Sequence, residues 1–146
     1  MAETFDVHVV SYNTGDPGGD NKQLYLLRAP SVGTGGGITI LGGEAVQAGT
    51  VTNSLGVGGT TFTLILHKYT NAATPVVYGT VSTNTLGGTA VGWAAGVPQA
   101  FTISSSGTLN YLGPGEWLVL QYNEVNAGNP TNCTICVRYV MVKLPN

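Results

Sequence analysis

Charged side chains are the scarcest class of residue in this chain. Five Lys or Arg and seven Asp or Glu make up 8% of its 146 residues, whereas charged residues are roughly a quarter of an ordinary soluble domain. The polar surface must therefore consist mainly of Thr, Ser, Asn, Gln and Gly, or much of the surface must be covered by something else. Because most chemistry needs ionisable groups, this composition favours an assembly or binding protein over an enzyme.

The missing charge and the missing long apolar runs exclude two classes of partner. The net charge is −2, and the basic residues are scattered, whereas nucleic-acid binding depends on clustered cations. No apolar run reaches the roughly 18 residues of a membrane span. The amino-terminal residues lack the basic region and apolar stretch of a signal peptide. We therefore expect an intracellular product with no nucleic-acid or membrane partner. The five basic residues are Lys22, Arg28, Lys68, Arg138 and Lys143.

Cysteine is nearly absent, and its two copies form the motif Cys133-Thr134-Ile135-Cys136. Such a motif can be a redox dithiol or half of a zinc site, but a zinc site needs two more ligands, and His8 and His67 lie far away in sequence. A redox motif normally opens a helix, whereas this one opens a strand-like run. Residues three apart in a strand lie about 10 Å apart on opposite faces, too far for a disulfide. We predict two unpaired thiols, at least one packed as a small apolar group.

Recognisable catalytic sets are also lacking. The glycine-rich residues 33–37 have no following Lys-Ser/Thr and lead into a strand, so they do not match a phosphate-binding loop. There is no Gly-x-Ser-x-Gly sequence for a nucleophile. An enzyme would need His8 and His67 to meet beside a carboxylate, although both lie in predicted strands. Glu116 and Glu124 lie at opposite ends of one predicted strand, too far apart for glycoside hydrolysis. We predict no enzymatic activity, no catalytic residues and no cofactor.

One loop carries oxygen ligands that a calcium ion could use. Asp16, Asp20 and Asn21 lie close together, but their spacing matches no EF-hand. A plain turn capped by these side chains is the favoured interpretation, and we predict no metal site.

The residues that are abundant favour β-structure. No segment has a sustained helical period, and runs rich in Thr, Val, Ile and Tyr alternate with clusters of Gly, Pro and Asn. About eight to nine short strands with turns between them predict an all-β protein, a jelly-roll-like antiparallel β-sandwich formed as one domain over residues 1–146. The nine predicted runs are residues 5–12, 23–29, 37–41, 45–52, 60–69, 75–83, 100–104, 116–125 and 134–143.

Alternation of apolar and polar residues supports several of these strands. In the eighth run, Leu118, Leu120 and Tyr122 share one face and Trp117 lies on the other. In the first run Phe5, Val7 and Val9 alternate with Asp6 and His8. Both faces of the ninth run are largely apolar, which predicts either a central strand or one buried against another subunit.

Three aromatic residues are candidates for contacts with a partner: Trp93, Tyr78 and Trp117. Exposed aromatic side chains can stack on sugars or anchor an interface. Trp117 begins a strand, which favours the core or an interface. Trp93 lies in the Gly- and Ala-rich residues 91–96, where it is either a contact residue or a plug beneath a long loop. A sugar-binding platform would draw on Trp93 or Tyr78.

The closing segment carries a family resemblance. Leu112-Gly113-Pro114-Gly115-Glu116-Trp117-Leu118-Val119-Leu120, followed by a loop and a final apolar strand, resembles the end of many jelly-roll subunits, including tumour-necrosis-factor-like trimers. The short length, low charge, Gly- and Thr-rich strands and missing catalytic set resemble the capsid decoration (cement) proteins of tailed bacteriophages. That resemblance implies a jelly roll that trimerises outside a phage head at three-fold or quasi-three-fold positions and locks neighbouring shell subunits together.

The expected function is therefore that of a structural virion protein. The expected partners are copies of the chain, as a homotrimer, and the major capsid protein of the shell. A trimer would cover neutral flanks and the sheet edges that an uncharged chain does not guard with lysines. The docking arm common in such proteins is not expected, because the first predicted strand begins by Phe5. The alternative is a carbohydrate-binding, lectin-like jelly roll such as a phage fibre or head-fibre tip.

Overall fold

The computed structural model describes residues 6–14, 22–30, 36–49, 61–82, 95–125 and 133–143. This part of the chain contains nine β-strands and no helix, and therefore no helix able to cross a membrane. The strands are β1 (Val7–Asn13), β2 (Lys22–Arg28), β3 (Gly36–Gln47), β4 (Thr61–Tyr69), β5 (Val77–Thr80), β6 (Gln99–Phe101), β7 (Tyr111–Leu112), β8 (Trp117–Val125) and β9 (Cys133–Lys143).

The strands form two antiparallel sheets. One has the order β1-β9-β3-β6, with β7 also paired to β3, and the other has the order β2-β8-β4-β5. If the two-residue β7 is set aside, the first strand pairs with the last, the second with the next to last, and so on inward, as in a long hairpin folded over on itself. This is the connectivity of a jelly roll. The predicted jelly-roll-like antiparallel sandwich is confirmed.

The core lies between the two sheets and is built from alternate residues of their central strands. Burying one such aliphatic side chain contributes about 1.5–3 kcal/mol, so these positions account for much of the drive to stack the sheets. The predicted inward face of β8 is confirmed. The largest fully buried core side chains include Ile38, Ile40, Leu64, Leu66, Leu112, Leu118, Leu120 and Ile135.

The prediction of two separate strands at residues 37–41 and 45–52 is wrong. β3 continues through the pair Gly42-Gly43, and its register with β9 shifts at that point because Leu41 is an extra residue. A Cβ atom on Gly42 would lie 2.6 Å from the guanidinium group of Arg138. These glycines therefore mark a β-bulge with a close approach, and not the turn that the sequence indicated.

Three short strands also differ from the sequence prediction. β5 and β6 are shorter than the predicted runs at residues 75–83 and 100–104, and β7 falls outside every predicted run. A two-residue strand has too few positions for an alternating pattern to reveal it.

The two cysteines lie on opposite faces of β9, as their spacing predicts. Cys133 is buried in the core, whereas Cys136 is half-buried on the outer face with its Sγ atom 3.5 Å from Ser11 Oγ. Neither forms a disulfide. Cys133 therefore packs as a small apolar residue.

Candidate interaction surfaces

The two histidines do not form a catalytic pair. His8 lies on β1 and stacks on Tyr139 with the ring centroids 5.4 Å apart. His67 lies on the outer face of the other sheet, where its Nδ1 atom is 3.4 Å from Thr80 Oγ1. Within the described ranges, no three His, Cys, Asp or Glu side chains come together to hold a metal ion. The calcium candidate at residues 16–21 lies outside those ranges.

One ion pair is buried at an end of the sandwich. The Lys68 ammonium group lies 3.2 Å from Glu116 Oε2 and donates hydrogen bonds to the carbonyl oxygens of Thr108 (2.9 Å) and Tyr111 (2.5 Å). Glu116 Oε2 also accepts a hydrogen bond of 2.6 Å from the Gly113 N–H. Lys68 therefore ties the connection between β6 and β8 onto β4, and the pair is structural.

The Gly113-Pro114-Gly115-Glu116 segment is a type II turn. Glu116 N–H donates to the Gly113 carbonyl (3.0 Å), and Gly115 has a φ of +78°, which favours glycine at this position. A Cβ atom on Gly115 would lie 2.4 Å from the side chain of Asn71. The segment that carried the jelly-roll resemblance therefore orients Glu116 toward Lys68 and begins β8.

The outer face of the β2-β8-β4 sheet carries three packed rings, here called the aromatic cluster: Tyr25, Tyr69 and Trp117. Tyr25 contacts both other rings edge-on, with centroids 5.2 Å from Trp117 and 6.0 Å from Tyr69. Burial raises the pKa of Tyr69 above its ordinary 10.0, and Tyr25 adds to the rise, whereas a hydrogen bond with Gln23 opposes it. Val119 is fully buried on this face, although it points away from the core. The cluster is thus a second apolar layer outside the sandwich.

Arg28 closes one side of the aromatic cluster. Its guanidinium carbon lies 5.2 Å from the centroid of the Trp117 ring, a cation–π contact. The same group donates to the Gly115 carbonyl and to Asn71 Oδ1, each at 3.2 Å. Trp117 is therefore held in one orientation, and Tyr25, 42% exposed, presents the most accessible ring of the cluster.

Only one of the three predicted contact residues can be placed on a surface. Trp117 is half-buried within the aromatic cluster. Tyr78 lies in β5, where the structure describes its backbone position only, and Trp93 lies outside the described residues. Sequence reasoning missed Tyr25, although its alternation with the leucines of residues 24–27 is a signal for an outward-facing ring.

The outer face of β1, β9 and β3 is a second surface, here called the neutral face: Val7, Val9, Leu41, Cys136, Arg138, Val140 and Glu44. Val7, Val9 and Leu41 are 56%, 62% and 48% exposed. Among the described side chains, Arg138 and Glu44 are the charged groups on this face. It is thus a β-surface with exposed aliphatic groups and few charges, and its β3 strand carries the bulge at Leu41.

Comparison with known proteins gives matches among solved structures alone. No family model matches the chain, and no curated protein matches it. The chain is similar to the VP2 subviral particle of infectious bursal disease virus, at 12% identity and a TM-score of 0.36 over 98% of this chain and 34% of that one. A structure of the Gx strain of the same virus matches at 15% identity and a TM-score of 0.31, over 99% of this chain and 43% of that one. The chain thus spans less than half the length of these matched chains.

Proposed function

We propose that this chain is a structural protein of a virion, folded as one domain over residues 1–146, which acts by contact between subunits and not by catalysis. The observation that carries the proposal is the neutral face. Exposed aliphatic side chains gathered on one face of a sheet mark an interaction site, and Val7, Val9 and Leu41 are exposed on a face with few charges. Jelly rolls serve repeatedly as viral shell domains, which is compatible with this role.

The finer proposal is a decoration, or cement, protein of a tailed bacteriophage. Three copies would close around a three-fold axis on the outer capsid surface, each placing its neutral face against the next copy in a heterologous ring. The trimer would span neighbouring subunits of the major capsid protein after synthesis in the host cytoplasm. A partner that binds only the assembled shell stabilises that shell by mass action.

The oligomeric state tests this proposal. Native mass spectrometry of the purified chain is expected to give a multiple of three chains of 15.0 kDa each. Leu41→Lys is expected to dissociate the trimer, because it replaces an exposed aliphatic side chain of the neutral face by a charged one. Val76→Lys adds the same charge at an exposed position in the β4–β5 connection and is expected to leave the trimer intact.

Two outcomes would contradict it. A wild-type chain that stays monomeric at high micromolar concentration would contradict the proposed trimer. A chain that does not co-sediment with empty capsid shells of its own virus is not a decoration protein, whatever its oligomeric state.

The aromatic cluster favours carbohydrate binding as a second candidate function. Aromatic rings beside amide and guanidinium groups suit the apolar face and hydroxyl groups of a sugar. In the aromatic cluster, Gln23 bonds to Tyr69, and Arg28 contacts Trp117 and bonds to Asn71. A glycan array tests this alternative. Binding that is lost in Tyr25→Ala would support it, and an array without hits would remove it.

A further inference from the structure

The edges of the two sheets differ in how they are protected. Edge strands expose unpaired backbone groups, and native proteins protect them by charged side chains, bulges or short length. In the described sandwich, β2 carries Lys22 and Arg28 at its ends and a register shift between Tyr25 and Leu27. β5 has four residues and also pairs irregularly, and β6 has three. These three edges are therefore poor templates for another strand.

β1 has none of these protections. It is seven residues long, with the sequence Val-His-Val-Val-Ser-Tyr-Asn, and contains no Lys, Arg, Asp, Glu or Pro. Its register with β9 is continuous from Val7 opposite Val140 to Asn13 opposite Thr134. All of its side chains except that of Val10 are exposed. It is a straight, neutral edge at one side of the β1-β9-β3-β6 sheet.

The hydrogen-bonding pattern between β1 and β9 identifies which backbone groups of β1 point away from β9. The Thr14 N–H donates to the Cys133 carbonyl at 2.8 Å. Because hydrogen-bonded and non-hydrogen-bonded residues alternate in an antiparallel pair, the even-numbered residues of β1 bond to β9. The N–H and carbonyl groups of Val7, Val9 and Ser11 therefore point away from β9, toward the side of β1 on which no strand of the described residues lies.

We propose that β1 is a docking edge for β1 of a second copy of this chain, paired antiparallel about a two-fold axis. A full ladder of backbone hydrogen bonds along β1 needs a partner strand that is also neutral, regular and of similar length. Among the edge strands of the described residues, only β1 itself has those properties. Antiparallel pairing places odd-numbered residues of one copy opposite odd-numbered residues of the other, so the outward N–H groups bond to outward carbonyls. No like charges come into opposition.

This pairing does not depend on the proposed function. It is an isologous contact through backbone edges, whereas the proposed trimer is a ring of side-chain contacts through the neutral face. It would join two monomers or two trimers equally well. In both cases the sheet continues from one copy into the next.

Ser11→Pro tests the pairing directly. Proline removes an N–H that points away from β9 and is tolerated at such positions of an edge strand, so the fold is retained while the outward ladder is interrupted. Ser11 is not among the side chains that define the neutral face, so the proposed trimer contact is left in place. Native mass spectrometry is expected to show that Ser11→Pro halves the particle mass of the wild type. Ser11→Ala keeps the N–H and is expected to keep the wild-type mass.

Hydrogen exchange gives a second measurement that needs no variant. The amides of Val7, Val9 and Ser11 are expected to gain protection as the wild-type concentration rises, whereas those of His8, Val10 and Tyr12 are protected throughout. If the odd-numbered amides exchange at the same rate at all concentrations, the pairing does not occur, even where Ser11→Pro has changed the mass by loosening β1.

The masses also separate this inference from the trimer. Six copies falling to three in Ser11→Pro means that both contacts exist, and two falling to one means edge pairing without a trimer. Three copies in both proteins means a trimer without edge pairing, and so overturns the inference alone.

Discussion

The Cys133 thiol shows what burial does to a single titratable group. It lies in the core at the start of β9, and burial raises its pKa from an ordinary 9.0 to about 12, with a smaller opposing contribution from a hydrogen bond to the Val46 backbone. The folded protein therefore keeps this thiol protonated under conditions in which the unfolded chain ionises.

The raised pKa predicts a loss of stability at alkaline pH. Below pH 9 the thiol is protonated in both states and has no effect. Above it the unfolded chain binds fewer protons, so the free energy of unfolding falls by about 1.4 kcal/mol per pH unit until the folded pKa is reached. Urea unfolding between about pH 8 and about pH 9.5 measures the onset of this fall, where the unfolded Tyr69 phenol, with an ordinary pKa of 10.0, is still mostly protonated.

Variants at the two cysteines show which thiol causes the fall in unfolding free energy with pH. Cys133→Ala is expected to remove this pH dependence and to lower the free energy of unfolding at all pH values, because it leaves a small cavity in the core. Cys136→Ala is expected to keep the pH dependence. A slope that survives in Cys133→Ala would show that another group titrates.

The connection between β6 and β8 depends on one buried charge pair. Lys68 projects from β4 and is held by Glu116 together with two backbone carbonyls. Glu116→Gln is expected to lower the free energy of unfolding by about 3 kcal/mol, because the ammonium group stays buried without its counter-charge. Glu44→Gln removes the same charge from the neutral face and is expected to change stability by less than about 0.5 kcal/mol.

A double variant separates the pair from its surroundings. Lys68→Met with Glu116→Gln is expected to be less destabilised than the sum of the two single variants, because no unpaired charge remains. Chemical denaturation of the four proteins supplies the cycle. Strict additivity would mean that the pair contributes nothing as a pair.

Single strands differed in how much of their structure could be read from the sequence. The alternation in β8 places Leu118 and Leu120 in the core and Trp117 outside, and the structure agrees. β3 could not be read in the same way, because Gly42 lies at a bulge beside the Arg138 side chain of β9 and not in a local turn. Local patterns predict local structure, whereas this contact joins neighbouring strands of one sheet that are far apart in the sequence.

The candidate surfaces were predictable only in part, for the same reason. Trp117 was identified because a ring at a strand start is conspicuous by itself. The alternation of Val7 and Val9 predicted a strand, yet the same pattern is compatible with either face inward, and only the pairing of β1 with β9 turns Val10 toward the core. Edge position depends on the order of all the strands, which no single segment contains.

At the scale of the whole molecule, the topology brings the two sequence ends of the sandwich together. β9 lies between β1 and β3, so the last strand completes the sheet that the first begins. Every principal strand pairing except that of β4 with β5 therefore joins residues that are far apart in the sequence. The neutral face is assembled from three strands that are far apart in sequence, which is why its lack of charge matters only after folding.

Scarcity of charge leads to a prediction about salt. Association between exposed charges weakens as salt screens them, whereas burial of apolar surface is unaffected or strengthened by excluded salts. The neutral face has three exposed aliphatic side chains, Val7, Val9 and Leu41, and two charged side chains, Arg138 and Glu44. We therefore expect the self-association constant, measured by sedimentation equilibrium, to be unchanged or higher when NaCl rises from about 0.05 M to about 0.5 M. Arg138→Gln serves as the control and is expected to follow the same salt profile. A steep fall with salt that Arg138→Gln abolishes would mean that ion pairing, and not the neutral surface, holds the copies together.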